Sequence, residues 1–285
     1  MTAGGFRPKS FDMRTPAMLL AGMLALTATL PARAEAEANR LRFSFDFYSG
    51  GAQVMTVDTR AERQGPAYRG ESTARSTGIF DFLMRLRSLN TVEGQIDRGI
   101  VTPHRFVTDA DWRFSKRRVD ITWNTRGEAI SIADPPPEAD DRDPVKPAQT
   151  VGALDPLSAA LSQVLYTADN PCVTRVPIFD GRRRYDLVMT LDGEDTFTPT
   201  DYTTFSGKAL RCAIRVERIA GYARNAEEQN REFDSRKTML WVALYPDHKL
   251  VVPVRLVTDS FFGSVIGHLT FAEIDGQVRT PRKKG

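Results

Sequence analysis

The sequence predicts an all-β protein: a strongly curved antiparallel sheet, drawn as an open β-barrel or β-spiral, with one helix packed on its concave side. Three observations carry this. Short segments of alternating apolar and polar residues recur along the chain, beginning with Leu41-Arg42-Phe43-Ser44-Phe45-Asp46-Phe47, and a period of two belongs to half-buried strands. Turn-forming residues separate these segments at short spacing, Gly50-Gly51 and Asp180-Gly181 among them. Only the segment opening at Asp155 carries a convincing helical stripe.

The chain of 285 residues opens on a different kind of sequence. Apolar Pro16–Leu30 follows Arg7, Lys9 and Arg14 and precedes Ala32-Arg33-Ala34. This is the layout of a secretory signal peptide, with Ala32 and Ala34 at the positions read on cleavage. An apolar run of this length is short of the roughly 20 residues that span a bilayer. Cleavage after Ala34 would leave one β-rich domain, residues 35–285, in the periplasm. The leader holds Arg7, Lys9, Arg14 and Arg33 against Asp12, so its loss turns 39 basic and 36 acidic residues into 35 of each. Nucleic-acid binding by bulk charge then loses its support.

After the first strand, Val54, Thr56 and Asp58 begin a second and Ala67–Arg75 form a third. Ile79–Met84 fits a short helix or a strand equally. Thr91–Asp97, His104–Thr108, Trp112–Phe114 and Arg118–Asn124 continue the strand pattern. A loop rich in Pro and Asp, at about 134–150, interrupts it. The helix follows, with Asp155 as N-cap, Pro156 at its first position, and Leu157, Ala160, Leu161, Val164 and Leu165 as one stripe ending near Tyr166. Strands are then expected at Val173–Phe179, Arg184–Leu191, Phe197–Phe205, Leu210–Val216, Thr238–Leu244, Leu250–Val257 and Val265–Ile274. Asn225–Glu232 is expected as an exposed excursion, Tyr245-Pro246-Asp247 as a turn, and Arg279–Gly285 as a frayed tail.

Cys172 and Cys212 are the two cysteines. In an exported chain they are expected to form one disulfide. No C-x-x-C motif or neighbouring His suggests a reactive thiol or metal pair. Other chemistry is sparse. Ser264 and His268 lie four apart on a strand, about 13 Å, too far for a nucleophile–base pair. His104, His248 and His268 are scattered. Asp192-Gly193-Glu194-Asp195 has calcium-type atoms without the spacing of an EF-hand and is expected as an acidic turn. Glu93 with Asp97, or Asp109 with Asp111, are carboxylate pairs of the sort any acid-rich chain contains. No phosphate-binding loop is present. Arg182-Arg183-Arg184 and Lys116-Arg117-Arg118 are expected as a solvated turn and a charged strand edge, with contact to anionic headgroups as the sharper alternative. No cofactor or metal site is expected. Phe43, Phe45, Phe47, Trp112, Phe114, Trp123 and Trp241 lie in strand-like sequence. They suit either a filled core or a concave apolar face left partly open.

The block Pro177-Ile178-Phe179-Asp180-Gly181-Arg182-Arg183-Arg184-Tyr185-Asp186-Leu187 follows the helix Asp155–Leu161. The ending runs from Leu240-Trp241-Val242 through Val252-Pro253-Val254-Arg255-Leu256 to Gly263–Leu269. In that order these segments resemble the bacterial family designated domain of unknown function 3108, over roughly residues 41–274. The resemblance implies an exported envelope protein of Gram-negative bacteria, similar in shape to half-barrel lipoprotein carriers or open β-spirals. It brings no catalytic residues.

The function expected is non-enzymatic: binding of an envelope component, a partner protein or a lipid-like ligand, in support of envelope integrity. The alternatives are a hydrolase of an envelope polymer working through carboxylates, and an assembly module using an open sheet edge. An apolar hollow of several hundred Å³ within the sheet would favour the ligand-binding reading.

Overall fold

A computed structural model describes residues 39–113, 115–137, 142–165, 171–224, 238–245, 250–260 and 263–282. All lie within one compact unit, Glu35–Gly285. The expected turn at Tyr245-Pro246-Asp247, the excursion at Asn225–Glu232, Phe114 and Tyr166 fall wholly or partly outside the described residues.

The first half is a meander of seven strands. They are β1 (Arg40–Ser49), β2 (Ala52–Gln64), β3 (Ala67–Ser76), β4 (Arg87–Asp97), β5 (Ile100–Trp112), β6 (Ser115–Trp123) and β7 (Ala129–Asp134). A short helix, α1 (Gly78–Met84), joins β3 to β4, which settles the ambiguous Ile79–Met84 segment. The second helix, α2, spans Pro156–Val164. The second meander is β8 (Thr174–Phe179), β9 (Arg184–Phe197), β10 (Gly207–Ala220), β11 (Thr238–Tyr245), β12 (Leu250–Ser260), β13 (Gly263–Ile274) and β14 (Gln277–Thr280).

The strand order is β7-β6-β5-β4-β3-β2-β1-β13-β12-β11-β10-β9-β8, with β14 added beside β13. The first described strand, β1, lies in the middle of the sheet, and the strands after it step outward to β7. The chain then crosses to the opposite edge, β8, and steps back until β13 pairs with β1. The thirteen strands form a nearly closed antiparallel barrel with one unsealed seam, between β7 and β8. The Pro/Asp-rich loop is the crossing at that seam. Its last part straps both edges. The Thr150 hydroxyl accepts from the Ala129 N–H of β7 (2.7 Å). On the other side Leu154 N–H donates to Pro177 O (2.9 Å), and Phe179 N–H to Leu154 O (2.8 Å).

Several boundaries differ from expectation. His104–Thr108 and Trp112 belong to one strand, β5, because Gly99 and the hairpin after Trp112 are the breaks, not the residues between. β7 is a strand not among those expected, although Ala129-Ile130-Ser131-Ile132 alternates; it meets the expected loop only at Asp134. Phe197–Phe205 is not one strand. β9 ends at Phe197, and Phe205 folds back to meet it edge-on, with ring centroids 5.8 Å apart. The tail is held through β14, where Thr280 is buried, and as far as Arg282, which donates to Ser44 Oγ (2.8 Å). Asp192–Asp195 lies within β9, not at a turn. Gly193 marks the irregularity there, opposite Arg211.

The two faces of the barrel differ. The outside of β2–β6 carries ion pairs across strands: Arg60–Glu71 (2.8 Å), Arg69–Glu93 (3.9 Å) and Arg118–Asp109 (2.5 Å). Inside lie Leu41, Phe43, Tyr68, Val92, Phe106, Val119 and Ile121, all buried. A lipid-spanning barrel is apolar outside, so these strands have the reverse polarity. Among the described residues no helix is long and apolar enough to cross a membrane.

The candidate ligand cavity

The interior is not filled by its own strands alone. α2 packs inside against β3, β4, β5, β8 and β12. Nine residues are marginal as a free helix, so three devices hold it there. Asp155 caps it, its Oδ1 accepting from Leu157 N–H (3.0 Å) and Ser158 N–H (2.9 Å). Ser158 and Tyr68 of β3 share a buried hydrogen bond of 2.7 Å. Gly70 of β3 leaves room for the stripe: a Cβ there would lie 2.9 Å from Val92 Cγ1 and 3.4 Å from Leu157 Cδ2. A glycine inside a strand-like segment signals such close approach, so Gly70 was legible in the sequence and was passed over.

Between α2 and the walls lies a cavity of about 420 Å³. β1 contributes Leu41, Phe43 and Phe45, β9 contributes Leu187 and Met189, and β11 contributes Leu240 and Val242. Ala61, Ile214, Val251 and Pro253 add to the lining, and α2 adds Leu157, Leu161 and Val164. Among the described residues the polar side chains around it are Thr59, Gln163 and Tyr185, and none in the lining is a carboxylate. Ala160 lines it and is exposed, so the hollow reaches the surface beside α2. Its size falls within the range of about 300–1,000 Å³ typical of small-molecule pockets.

Cys172 and Cys212 are joined in a disulfide, with Cα atoms 5.1 Å apart. Both are fully buried beside Met189, Val242 and Val251, and Cys212 stands opposite Leu240, so the bridge packs next to the cavity lining. It ties the chain leaving α2 to β10.

The other singled-out residues do not converge. His268 stacks on Tyr202 at 5.2 Å on the face of β13 that carries Arg255 and Asp46 as cross-strand neighbours. Burial, with the Arg255 charge nearby, lowers its pKa to about 4. Ser264 sits opposite Asp259, near the start of the same strand. His104 is exposed on β5, and His248 lies outside the described residues. Asp192 and Asp195 both hold Arg211, at 2.7 and 2.9 Å, and Glu194 holds Lys208 at 2.9 Å. Asp109 and Asp111 face Arg118 and Lys116. Asp97 faces Arg98. Among the described residues no three potential ligands cluster as a metal site.

The arginine block corrects an expectation. Arg182 and Arg184 are buried, not solvated. Arg182 donates to the Pro135 carbonyl. Arg184 donates to Gln149 O (3.2 Å) and to Asp186 Oδ1 (2.6 Å). Arg175 reaches the second Asp186 oxygen at 2.7 Å. Burial alone would raise the Asp186 pKa, yet the bonds from Arg184 and Arg175 hold it below the ordinary value. Asp180 Oδ1 accepts from the N–H groups of Arg182 and Arg183, at 3.0 and 2.7 Å, and so shapes the β8–β9 turn. These side chains fasten the crossing loop to the second meander.

Of the aromatic residues, Phe43 and Phe45 line the cavity. Trp241 points to the opposite face, where its indole N–H donates to Asp195 (2.6 Å). Trp123 donates to Ala153 O (3.1 Å), close to the seam. Trp112 is exposed.

Fold and site together define a nearly closed antiparallel barrel around an apolar hollow capped by a helix. The chain belongs to the family Protein of unknown function (DUF3108), whose model matches residues 42–270. Among solved structures it is similar to the β-barrel-like protein of domain of unknown function DUF1849 from Brucella abortus, with a TM-score of 0.46 and 11% identity, covering 84% of this chain and 98% of that one. The immune modulator A of Aeromonas veronii matches with a TM-score of 0.15 and 10% identity, over 82% of this chain and 94% of that one. No curated protein matches the chain.

Proposed function

We propose that this protein, exported to the periplasm and freed of residues 1–34, binds a lipid-like ligand through its apolar chain, in support of the cell envelope. The observation that carries this reading is the cavity of about 420 Å³ beneath α2. An apolar hollow that reaches water gains free energy when a hydrocarbon chain replaces the water in it. Gln163 and Thr59 offer hydrogen bonds to a polar headgroup or carboxyl. The binding is non-covalent and needs no catalytic group.

Native mass spectrometry of the protein isolated from its host, together with lipid extraction, tests the reading. A bound species of acyl-lipid mass is expected. Added long-chain fatty acid or lysophospholipid should raise the melting temperature. Ala61→Phe, which fills the hollow from β2, should abolish both effects while the barrel still folds. Absence of any bound lipid and of any stabilisation by these probes would overturn the reading. Intact-mass measurement should find a chain starting at Glu35; an uncut leader would overturn the export part alone.

A further inference from the structure

We propose that the α1 end of the barrel docks on the surface of an anionic lipid bilayer. α1 turns its apolar residues outward: Ile79 is 60%, Phe82 69% and Leu83 50% exposed. The tip of the β5–β6 hairpin lies against it. Arg113 donates to the Phe82 carbonyl, and its guanidinium stacks over the Phe82 ring at 5.2 Å. Trp112, on the same hairpin, is 37% exposed. Four large apolar side chains are thus exposed on α1 and the adjoining hairpin. Exposed side chains of these types suit a surface that can be penetrated, such as the boundary between headgroups and acyl chains, where Trp, Phe and Leu are favoured.

Charge selects the kind of surface. Two of the segments at this end, residues 75–87 and 109–118, hold seven basic residues against three acidic ones. Residues 35–285 carry no net formal charge, so the +4 of these two segments is balanced by −4 over the rest of that part of the chain. A groove of about 660 Å³ along the strands next to α1 gathers Arg75, Arg87, Lys116, Arg117 and Arg118, of which Arg118 pairs with Asp109, Lys116 with Asp111 and Arg87 with Asp81, with Asp134 also in its lining. Apolar side chains ringed by excess cations match a membrane whose headgroups are negative. This surface is separate from the cavity, and the inference stands whether or not the hollow holds a ligand.

Vesicle flotation tests it. Wild type and variants are compared in the same form of the chain, so residues 1–34 contribute equally to both. Vesicles of phosphatidylcholine alone are set against vesicles containing phosphatidylglycerol, at low and high salt. Wild type should prefer the anionic vesicles, and salt should weaken that preference. The double substitution Ile79→Ser, Phe82→Ser should lower partitioning at least about tenfold, as should Arg75→Glu with Arg85→Glu. Both pairs are exposed, and circular dichroism verifies the fold. Vesicle binding should also shift the tryptophan emission to the blue, and Trp112→Phe should remove the shift. Equal binding of both vesicle types, or variants that bind like wild type, would overturn the proposal. So would a concentration-dependent dimer that Phe82→Ser dissolves without any vesicle binding, because this end would then face a second copy.

Discussion

Gly181 stands in the β8–β9 turn with φ +89°, and a Cβ built there would lie 2.1 Å from Val119 Cγ1. The turn therefore presses against the inner wall at β6. Gly181→Ala should destabilise the protein by about 2–4 kcal/mol, combining backbone strain with overpacking; denaturant unfolding measures this, and an unchanged midpoint would contradict the packing. Asp155 makes a second prediction. It is fully buried, Oδ2 has no hydrogen-bond partner, and burial raises its pKa to about 6, only partly opposed by hydrogen bonds from Ser158 and Leu157. In the unfolded chain it titrates near 3.8. Its contribution to stability is thus fully present below that value and is lost as pH rises through about 6. Asn also caps helices but does not titrate. The stability of Asp155→Asn relative to wild type should therefore climb between pH 4 and pH 7, by up to about 3 kcal/mol. Unfolding curves at a series of pH values give the answer; a flat difference would mean that the carboxyl is not desolvated. The N-cap was legible in Asp155-Pro156. Its burial was not, because burial depends on which sheet the helix meets.

At the level of elements, α2 shows how a short segment becomes a wall. Its stripe was readable, and Leu161 and Val164 are buried as that stripe implies. The cavity it closes was not readable, because the other lining residues come from strands scattered between Leu41 and Pro253. The disulfide secures the far side of this assembly. It closes a loop of 40 residues, and removing it through Cys172→Ala with Cys212→Ala should cost about 3–4 kcal/mol on the chain-entropy estimate. The melting temperature should fall, and a reductant should lower wild type to the level of the variant. A melting temperature insensitive to reductant would argue against the bridge. The cysteines could be paired from number and compartment logic alone. Their place next to the cavity lining needed the register of β10 against β9 and β11.

For the molecule as a whole, the seam is the feature that organises the rest. Both meanders are built from local hairpins, but the barrel is completed by two distant events, the pairing of β1 with β13 and the strapping of β7 and β8 by the crossing segment. Arg184 belongs to the second event. Arg184→Ala would leave buried Asp186 with Arg175 as its remaining cation and release Gln149 from β9. The expected loss is about 3–5 kcal/mol, and hydrogen exchange should rise at the β7 and β8 edges before it rises at β1 and β13. Uniform exchange across the sheet would show that the seam is not the weak line.

By itself the sequence determined the all-β class, most of the strands, the capped helix and the pair of cysteines. Each follows from a local cause: period-two or period-3.6 patterning, turn chemistry, a capping side chain, or the number of thiols. Only the tertiary structure decided that Arg182 and Arg184 are buried, that the acidic run Asp192–Asp195 lies in a strand facing Arg211 and Lys208, and that the concave face stays partly hollow. Burial, ion pairing and empty volume belong to groups far apart in the chain, so no window of neighbouring residues contains them.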